Sequence, residues 1–280
     1  MVKQKPFSAI PLAGALGAEI HSVDLAKPLD RQTVSGLRQA LLDHLVLVFR
    51  GQSITPAQHL AFAKLFGDIV PYPYVQGLEG HPEIIPVVKL EHEIVNFGGL
   101  WHADTTYLEH PPMGSILVAR ELPPYGGDTL FANMYLAYDS LSTGMKKMLG
   151  GLIAVNSSAK KAVTATRVVN KESKAKEDPT TPREAEHPVV RTHPETYRKL
   201  LYVNGAHTVS FKGQRAEESA PVLKYLFQHQ TKPKFTCRVQ WQPGTIVFLD
   251  NRCVQHNPVN DYHGFKRVLH RITLAGDRPA

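Results

Sequence analysis

The chain has 280 residues, of which 42% are hydrophobic and 20% are charged. This balance is typical of a globular protein and excludes a low-complexity or disordered chain. No apolar run approaches the roughly 20 residues that a membrane-crossing helix needs. Residues 1–6 are basic but lack the apolar core of a secretory signal. The sequence therefore predicts a cytoplasmic protein with no membrane partner.

The formal charge of +7 at pH 7 could indicate a nucleic-acid-binding protein. Part of the excess, however, lies in one polar stretch with few aromatic residues to stack on bases. Its basic residues are Lys160, Lys161, Arg167, Lys171, Lys174 and Lys176. We expect a solvated loop there and no nucleic-acid partner, and a net positive field would also attract small organic anions.

Two cysteines, Cys237 and Cys253, are present in the whole sequence. Neither belongs to a Cys-x-x-Cys pair, so thiolate metal sites and thioredoxin chemistry have no support. Small secreted folds that depend on disulfides use many more cysteines. We expect both side chains to be buried apolar groups rather than partners in a disulfide.

The first predicted elements are strands. Residues 9–12 and 18–23 are typical of short strands around glycines. Residues 45–49, Leu-Val-Leu-Val-Phe, form a fully apolar run with two β-branched residues, which predicts a buried strand.

Two helices are predicted around the third of these strands. Asp30 can cap a helix over 31–43, whose apolar residues recur on one face. Thr55 followed by Pro56 predicts the start of a second helix, and Gly67 is expected to end it. Both helices are expected to pack on the outside of a sheet.

The rest of the chain is predicted to consist mostly of short strands. They are expected at 83–90, around His102, and at 113–120, 129–132, 152–156, 189–193, 200–204, 235–241, 245–249 and 266–275. Helices are expected at 135–149 and 216–230. Many short strands with Gly/Pro turns indicate a barrel or jelly roll. Residues 157–187 lack hydrophobic periodicity, and we expect a lid or a mobile insertion there.

The stretch Trp101-His102-Ala103-Asp104 has the clearest chemical content. A histidine and a carboxylate two residues apart in an extended segment project to the same side and can bind one metal ion. A third ligand from another segment would complete the two-His-one-carboxylate facial triad of Fe(II) oxygenases. His-x-Asp alone is a weak signal, because surface or turn dipeptides of this kind are more common. A candidate third ligand, His256, lies near the far end of the chain.

The chemistry-bearing residues follow a recognisable order: His102 and Asp104, the turn 126–129 (Gly-Gly-Asp-Thr), then His256 and Arg267. This order resembles the taurine dioxygenase/2,4-dichlorophenoxyacetate dioxygenase family of Fe(II)- and 2-oxoglutarate-dependent oxygenases. The resemblance covers nearly the whole chain. Other matching segments are Phe66-Gly67, Pro111-Pro112, Leu201-Tyr202-Val203-Asn204, Asp250-Asn251-Arg252, Gln255-His256, Asp261-Tyr262 and His270-Arg271.

The resemblance implies a set of ligands. His102, Asp104 and His256 match the family's Fe(II) ligands, which leave positions for a 2-keto acid and O2. Arg267 matches the arginine that binds the far carboxylate of 2-oxoglutarate, and Thr129 matches its hydroxyl partner. The forked guanidinium suits a carboxylate because it makes two parallel charge-assisted hydrogen bonds. The competing interpretations are a backbone-satisfied core histidine at 256 and a surface ion pair at 267.

The resemblance also suggests a binding region for the prime substrate. Arg271 lies four residues beyond Arg267, so both point to the same face of one strand, about 13 Å apart along it. It matches the arginine that holds the sulfonate in the taurine enzyme. Tyr72, Tyr74 and Phe97 occupy segments that the family places around the substrate, although all three could instead belong to the core.

The substrate region departs from the taurine pattern. The histidine of the taurine enzyme aligns approximately with Tyr72 of this chain, and its asparagine lies near the position of Gly98. His207 lies where that enzyme has an aromatic residue. A partner for the taurine amine is therefore missing, and burying an unpaired ammonium is costly. These replacements favour a larger or more apolar anion, with a slight preference for an aryloxyalkanoate over an alkyl sulfonate or sulfate.

The sequence thus predicts a mainly β protein with flanking helices, a double-stranded β-helix (jelly roll, cupin-like), as one domain over 1–280. The predicted function is an Fe(II)- and 2-oxoglutarate-dependent dioxygenase that hydroxylates a C–H bond beside the heteroatom of a small organic anion. The product would then release a phenol, sulfite or sulfate. Alternatives are taurine dioxygenase proper, a non-catalytic or hydrolytic metal-binding jelly roll, and a basic nucleic-acid-binding module. We also expect a homo-oligomer.

Overall fold

The computed structural model describes residues 7–72, 75–160, 163–164 and 182–280. Within these ranges the α-helices are Arg31–His44 (α1), Pro56–Lys64 (α2), Met134–Asp139 (α3), Thr143–Leu149 (α4) and Ala216–Gln230 (α5). A single 3-10 turn covers Pro233–Phe235. No helix in the described ranges is both long enough and apolar enough to span a membrane.

The strands of the first half are Ser8–Pro11 (β1), Ala18–His21 (β2), Val46–Phe49 (β3), Ile85–Lys89 (β4), Gly114–Glu121 (β5), Thr129–Asn133 (β6) and Ile153–Ser157 (β7). Those of the second half are Glu184–Pro188 (β8), Val190–Thr192 (β9), Lys199–Leu201 (β10), Thr208–Phe211 (β11), Thr236–Val239 (β12), Ile246–Asp250 (β13), Val254–Pro258 (β14) and Arg267–Leu274 (β15).

The strands of the described residues form four sheets, and two of them, a larger and a smaller one, enclose one buried core. The larger sheet has seven strands in the order β1-β2-β3-β13-β5-β15-β4, and the smaller one has the order β12-β6-β14. The other two sheets have the orders β11-β7-β8 and β10-β9. Side chains from both sheets share one buried cluster, for example Phe131 of β6 with Val247 of β13. Neighbouring strands are distant in the chain and mostly antiparallel. This arrangement is the double-stranded β-helix, or jelly roll, that the sequence predicts.

Strand β13 shows why an apolar run lies in the middle of the larger sheet. Successive side chains of a strand point to opposite faces. Val247 and Leu249 accordingly pack between the two sheets, while Ile246 and Phe248 pack beneath the helices. Both faces are covered, so every residue of β13 is buried. Strand β3, predicted from the same kind of apolar run, is its direct neighbour and is buried throughout.

The helices α1 and α2 cover the outer face of the larger sheet, as predicted. The Asp30 carboxylate accepts a hydrogen bond from the Thr33 amide at 2.7 Å, which caps α1. Thr55 caps α2 in the same way through the Gln58 amide. The prediction that Gly67 ends α2 is wrong. The helix ends at Lys64, and the Leu65 and Phe66 amides donate to carbonyls only three residues back.

The second half of the chain differs from the predictions in one helix and in three strands. The single helix predicted over 135–149 is two helices, α3 and α4, because the Ser142 hydroxyl caps a new helix by accepting from the Met145 amide. Strands β8, β11 and β14 were not predicted. In β8 and β14 the sequences Glu-Ala-Glu-His-Pro and Val-Gln-His-Asn-Pro carry little apolar alternation. Their pairing with β7 and β6 holds them in place instead.

The predicted insertion over 157–187 is partly described. Its ends are joined, because the Ser158 amide donates to the Arg183 carbonyl and the Arg183 amide donates to the Ser158 hydroxyl, both at 2.9 Å. Residues 184–187 belong to β8, so this end of the segment has secondary structure, contrary to expectation. Residues 161–162 and 165–181, on which the prediction of a lid depends, lie outside the described residues.

Both cysteines agree with the prediction. Cys237 and Cys253 are buried and free. Burial raises the pKa of the Cys237 thiol to about 12, so it remains protonated at neutral pH. The thiols act as small apolar groups in the core between the sheets.

Candidate active site

The two candidate histidines face each other across a β-bridge. His256 lies on β14, and His102 lies on the segment after β4. The His102 amide donates to the His256 carbonyl at 3.1 Å, and the His256 amide donates to the His102 carbonyl at 2.8 Å. The two imidazole centroids are 4.1 Å apart. Backbone pairing therefore brings together two residues that are far apart in the sequence.

Asp104 joins this pair and is fixed from two sides. The ligand atoms of His102, Asp104 and His256 all lie within 4.8 Å of one another. The Asn251 side chain accepts from the Asp104 amide at 2.6 Å and donates to the Asp104 carbonyl at 3.2 Å. The Ser115 hydroxyl donates to the carboxylate oxygen Oδ2 at 2.9 Å. The second oxygen, Oδ1, lies 3.7 Å from the His102 Nε2.

This donor set fits Fe(II). The Nδ1–H of His102 donates to the Leu100 carbonyl at 2.6 Å, so Nε2 carries the lone pair and points towards Asp104. Such a hydrogen bond orients a metal-binding histidine. The Nδ1 of His256 is buried and has no hydrogen-bond partner in the described chain. Two imidazoles and one carboxylate on one side of a cavity match the facial arrangement that keeps other positions open.

The site is built to hold an ionised carboxylate, that of Asp104, beside the neutral imidazole of His256. Although burial raises the pKa of Asp104, the Arg271 guanidinium and the His102 ring hold it well below its usual range. Burial, followed by repulsion from His102, lowers the pKa of His256 to about 3. The ionised Asp104 carboxylate therefore lies beside the neutral ring of His256 and the Arg271 cation.

A second cluster, His193, Asp250 and Cys253, also has its potential ligand atoms within 4.8 Å. Both oxygens of Asp250 are already bonded to the Arg252 guanidinium, at 2.9 and 2.7 Å, and Oδ2 also accepts from His193. The Nδ1 of His193 accepts from the Glu195 amide at 3.2 Å. No lone pair points to a common centre, so this cluster is a structural ion-pair network.

Beside the histidines lies a cavity that we call the Arg267 pocket, lined by Arg267, Thr129, Trp241, Tyr262 and His256 among others. The Arg267 side chain is buried, and its Nε and Nη2 have no hydrogen-bond partner within the described residues. The Thr129 hydroxyl oxygen accepts from the Trp241 indole at 3.0 Å, which leaves its own hydrogen available. The predicted pair thus borders one cavity, and Arg267 is not a surface ion pair.

A second cavity, the Tyr72 pocket, shares Phe97, His102 and Arg271 with the Arg267 pocket. It is lined by Tyr72, Phe97, Tyr107, His207 and Arg271, together with His102 and Asp104. The rings of Tyr72 and Phe97 meet edge to face at 6.1 Å between centroids. These aromatics both pack together and line the cavity. Tyr74, predicted here, lies outside the described residues.

Arg271 is placed between the two cavities. As predicted, Arg267 and Arg271 are buried on the same face of β15, and both line the Arg267 pocket. The Arg271 Nη1 lies 3.1 Å from Asp104 Oδ1, and its Cζ lies 4.8 Å above the Tyr72 ring. The sequence did not predict this ion pair with the carboxylate of the triad.

Three further residues of the site were missed from the sequence. Ser115 orients Asp104 from β5, where only strand alternation could have placed it. Asn251 belongs to a segment that matches the family, but the sequence assigns it no role. Lys89 of β4 lines the Arg267 pocket, and no sequence pattern singles it out. The predicted His207 is in place, with its Nδ1 3.1 Å from the Thr106 hydroxyl and its ring edge-on to Tyr107.

A jelly roll that carries a His-Asp-His triad beside two cavities, each lined by a buried arginine, fits the class of non-haem iron oxygenases. The family described as "Taurine catabolism dioxygenase TauD, TfdA family" matches residues 8–273, and the chain belongs to this family. The chain is accordingly an oxidoreductase of the 2-oxoglutarate-dependent dioxygenase class, which uses Fe(II), 2-oxoglutarate and O2. The resemblance seen in the sequence is confirmed.

The curated relatives and solved structures agree with this family. An alkylsulfatase of Acinetobacter baylyi is 37% identical over 273 residues, which covers 95% of this chain and 84% of that protein. An alpha-ketoglutarate-dependent sulfate ester dioxygenase of Pseudomonas putida is 34% identical over 276 residues, covering 96% and 89%. The crystal structure of a taurine dioxygenase from Burkholderia xenovorans has a TM-score of 0.83 and 36% identity, covering 98% of this chain and 91% of that one.

Proposed function

We propose that His102, Asp104 and His256 hold Fe(II), and that this metal supplies the activation of O2 when it is bound. The proposal rests on the three converging donors and on the tautomer set at His102 by the Leu100 carbonyl. Ser115 keeps one oxygen of Asp104 occupied and so directs the other towards the metal position. The protein's part is to fix this geometry before the co-substrates arrive.

We propose further that Arg267 and Thr129 bind the far carboxylate of 2-oxoglutarate in the Arg267 pocket. The supporting observation is a buried guanidinium whose Nε and Nη2 have no partner in the described part of the chain, beside a hydroxyl whose hydrogen is available. A carboxylate satisfies both, because it accepts two parallel bonds from the fork and a third from the hydroxyl. The 2-oxo acid end then lies towards His256, which lines the same cavity.

The proposed prime substrate is an alkyl sulfate ester, bound in the Tyr72 pocket. Its alkyl chain would contact Tyr72, Phe97 and Tyr107, and its anionic group would be held by Arg271. The two curated relatives described above act on sulfate esters according to their names, which favours this anion over the aryloxyalkanoate slightly preferred from the sequence.

The reaction balances without any further reagent. One oxygen atom of O2 is inserted into a C–H bond of the carbon that bears the ester oxygen. The other oxygen atom is incorporated into succinate. The 2-oxoglutarate is oxidised and loses CO2. The hydroxylated ester then breaks its C–O bond to the sulfate group, and the hydroxyl proton leaves with it, giving an aldehyde and hydrogen sulfate. The role of the protein is to orient the C–H bond and to exclude water from the cavity.

Taurine and an aryloxyalkanoate are the alternatives to an alkyl sulfate ester. Taurine is disfavoured, because Gly98 offers no side chain for its amine and a Cβ there would lie 3.1 Å from the His102 ring. An aryloxyalkanoate is the second candidate, because the edge-to-face pair of Tyr72 and Phe97 offers apolar ring surfaces to an aryl group.

The experiment is a competition with the anaerobically iron-loaded enzyme, given 2-oxoglutarate and O2. A medium-chain alkyl sulfate, an alkyl sulfonate of equal length, a phenoxyalkanoate and taurine are supplied, and succinate, aldehyde and free sulfate are measured. We expect the alkyl sulfate to be consumed first, with one succinate and one sulfate formed per molecule. Preference for taurine by roughly tenfold or more, about 1.4 kcal/mol, would overturn the substrate proposal. Preference for the phenoxyalkanoate would select the second candidate.

Several features expected from the sequence remain predictions. These are a single domain over 1–280, a lid within 157–187, a homo-oligomer, and a cytoplasmic location. The absence of a nucleic-acid partner is also still a prediction, which salt-dependent filter binding would test.

A further inference from the structure

Lys89 lies where a second cation can enter the Arg267 pocket. It is the last residue of β4, and in the pairing of β4 with β15 it stands directly opposite Arg267. Opposed residues of an antiparallel pair project to the same face, with Cβ atoms roughly 4.5–5.5 Å apart. The Lys89 side chain therefore runs beside that of Arg267, and both residues line the same cavity.

Lys89 and Arg267 both lie near the ring of Tyr262. The Lys89 Nζ lies 4.6 Å from the centroid of the Tyr262 ring, and the Arg267 Cζ lies 6.0 Å from the same ring. Lys89 is only 3% exposed, yet its Nζ has no hydrogen-bond partner among the described residues. One carboxylate oxygen of the nearby Glu93 accepts from the Leu90 amide at 2.6 Å, and among the described residues Glu93 makes no hydrogen bond to Lys89.

This arrangement is costly in the absence of a ligand. A buried ammonium without hydrogen-bond acceptors loses its hydration, and the neighbouring guanidinium repels it. Burial lowers the pKa of Lys89, although Glu93 and Glu91 act in the opposite direction. Most buried lysines are paired, so a lysine that lines a cavity without a hydrogen-bond partner among the described residues is suited to an anionic ligand.

The acceptor sites of a carboxylate match the donors that converge here. A carboxylate has two oxygens with about four lone-pair sites. The fork of Arg267 can fill two of these sites and the Thr129 hydroxyl a third. Lys89 lines the same cavity opposite Arg267, and its Nζ has no hydrogen-bond partner among the described residues, so it can supply the bond to the fourth site.

We propose that Lys89 is an additional binding residue for the far carboxylate of the 2-oxo acid, and that it makes the pocket selective for dicarboxylic 2-oxo acids. This inference rests on the proposed function, since it assumes that 2-oxoglutarate occupies the Arg267 pocket. The competing interpretation is that Lys89 only packs on the Tyr262 ring. In that case its removal would loosen the fold and affect every ligand equally.

The test measures ligand binding directly, without turnover. The full-length protein is loaded with Mn(II) under anaerobic conditions, and calorimetry records the binding of 2-oxoglutarate and of 2-oxopentanoate. The latter has the same chain length but lacks the far carboxylate. The variant Lys89→Met removes the charge and keeps most of the apolar stem. Lys266→Met is the matched control, because Lys266 pairs with Glu121 at 2.9 Å, away from the cavity.

We expect Lys89→Met to weaken the binding of 2-oxoglutarate roughly tenfold or more, as for loss of a hydrogen bond to a charged group. The binding of 2-oxopentanoate should change less than about threefold, within ordinary context effects. Lys266→Met should leave both affinities unchanged. Without ligand, Lys89→Met should melt at the same temperature as the wild type or higher, because an uncompensated charge has been removed.

Other results would overturn the inference. Equal losses for both ligands, or a lower melting temperature with no selective loss, would assign Lys89 to packing alone. Unchanged 2-oxoglutarate binding would show that Lys89 does not reach the carboxylate. Lys89→Gln is measured in parallel with the same expectations, in case the methionine variant folds poorly. If Arg267→Met keeps full affinity for 2-oxoglutarate, or if the wild type does not bind it, the proposed function itself fails.

Discussion

At the scale of single residues, the site depends on how the two oxygens of Asp104 are divided. The Ser115 hydroxyl occupies Oδ2, and Arg271 lies 3.1 Å from Oδ1. The Arg271 guanidinium beside Oδ1 compensates the negative charge of the buried Asp104 carboxylate when no metal ion is bound. A metal ion at this position would take over that compensation, and Arg271 could then hold an anion in either cavity.

The first prediction concerns the metal ligands. Replacing His256 by alanine should abolish most Fe(II) binding, because a site with three protein ligands has little redundancy. Metal content after anaerobic loading with Fe(II) or Mn(II), followed by desalting, is the measurement. His110→Ala provides the control, since His110 is an exposed histidine outside both cavities and should leave the metal content unchanged. Full occupancy in His256→Ala would remove His256 from the ligand set.

At the scale of elements, the turn between β13 and β14 positions the triad. Asn251 follows the last residue of β13, and its side chain bonds three backbone groups, two of Asp104 and the carbonyl of Pro112. The next strand, β14, then carries His256 into its bridge with His102. One buried amide therefore connects the segment of His102 and Asp104, two of the proposed ligands, to the turn that leads into the strand of His256, the third.

The second prediction follows from this amide. Asn251→Ala leaves buried backbone groups unpaired and should cost on the order of 2–3 kcal/mol of stability. It should also weaken metal binding by roughly 10–100-fold, as for loss of an outer partner of a ligand. The measurements are urea unfolding and Mn(II) titration.

Gln52→Ala is the matched control for Asn251→Ala. The Gln52 amide also bonds three backbone groups, those of Leu25, Val23 and Arg50, but it lies in the connection from β3 to α2. It should lower stability while leaving metal affinity intact. Equal metal affinity in Asn251→Ala and the wild type would show that the turn does not orient Asp104.

At the scale of the whole molecule, the larger sheet separates two buried layers. Its inner face packs against β6, β12 and β14 and contains the site, whereas its outer face packs against α1 and α2. His59 of α2 lies fully buried in the outer layer, and its Nε2–H donates to the Ile116 carbonyl at 3.2 Å. Its titration is therefore coupled to folding without involving the site.

The third prediction is a dependence of stability on pH that originates in the outer layer. Burial first, and repulsion from Arg120 and His270, lower the pKa of His59 to about 3. Between about pH 6.5 and pH 3 the unfolded chain binds a proton at this position and the folded chain does not. Stability should therefore fall as the pH is lowered through this window, by on the order of 2 kcal/mol at pH 5 from His59 alone.

The measurement is the free energy of unfolding in urea at pH 7.5 and pH 5. His59→Gln keeps an N–H donor for the Ile116 carbonyl and cannot titrate, so the difference between the two pH values should become smaller. His270, whose pKa is also lowered, to about 4, should account for part of the remaining slope. An unchanged difference in His59→Gln would show that His59 does not contribute.

Local patterns in the sequence determined those elements whose stability is itself local. The cap at Asp30, the apolar runs at 46–49 and 246–250, and the helix over 216–230 are placed by neighbouring residues, so they could be predicted. The order of His102, Asp104, His256, Arg267 and Arg271 likewise identified the family, because the chemistry needs these residue types. Gly67 was misjudged because the turn before it had already ended the helix.

Only the tertiary structure decided how these residues meet. Strand β14 has no apolar alternation, and its position comes from pairing with β6 and from the bridge to His102, which are contacts between distant parts of the chain. The ion pair of Arg271 with Asp104 depends on the same pairing. The position of Lys89 opposite Arg267 depends on the register of β4 and β15, which the side chains of β4 alone do not reveal. The sequence pattern of a strand indicates which of its side chains share a face. Only the pairing of two strands determines which of their side chains, here two cations, lie next to each other.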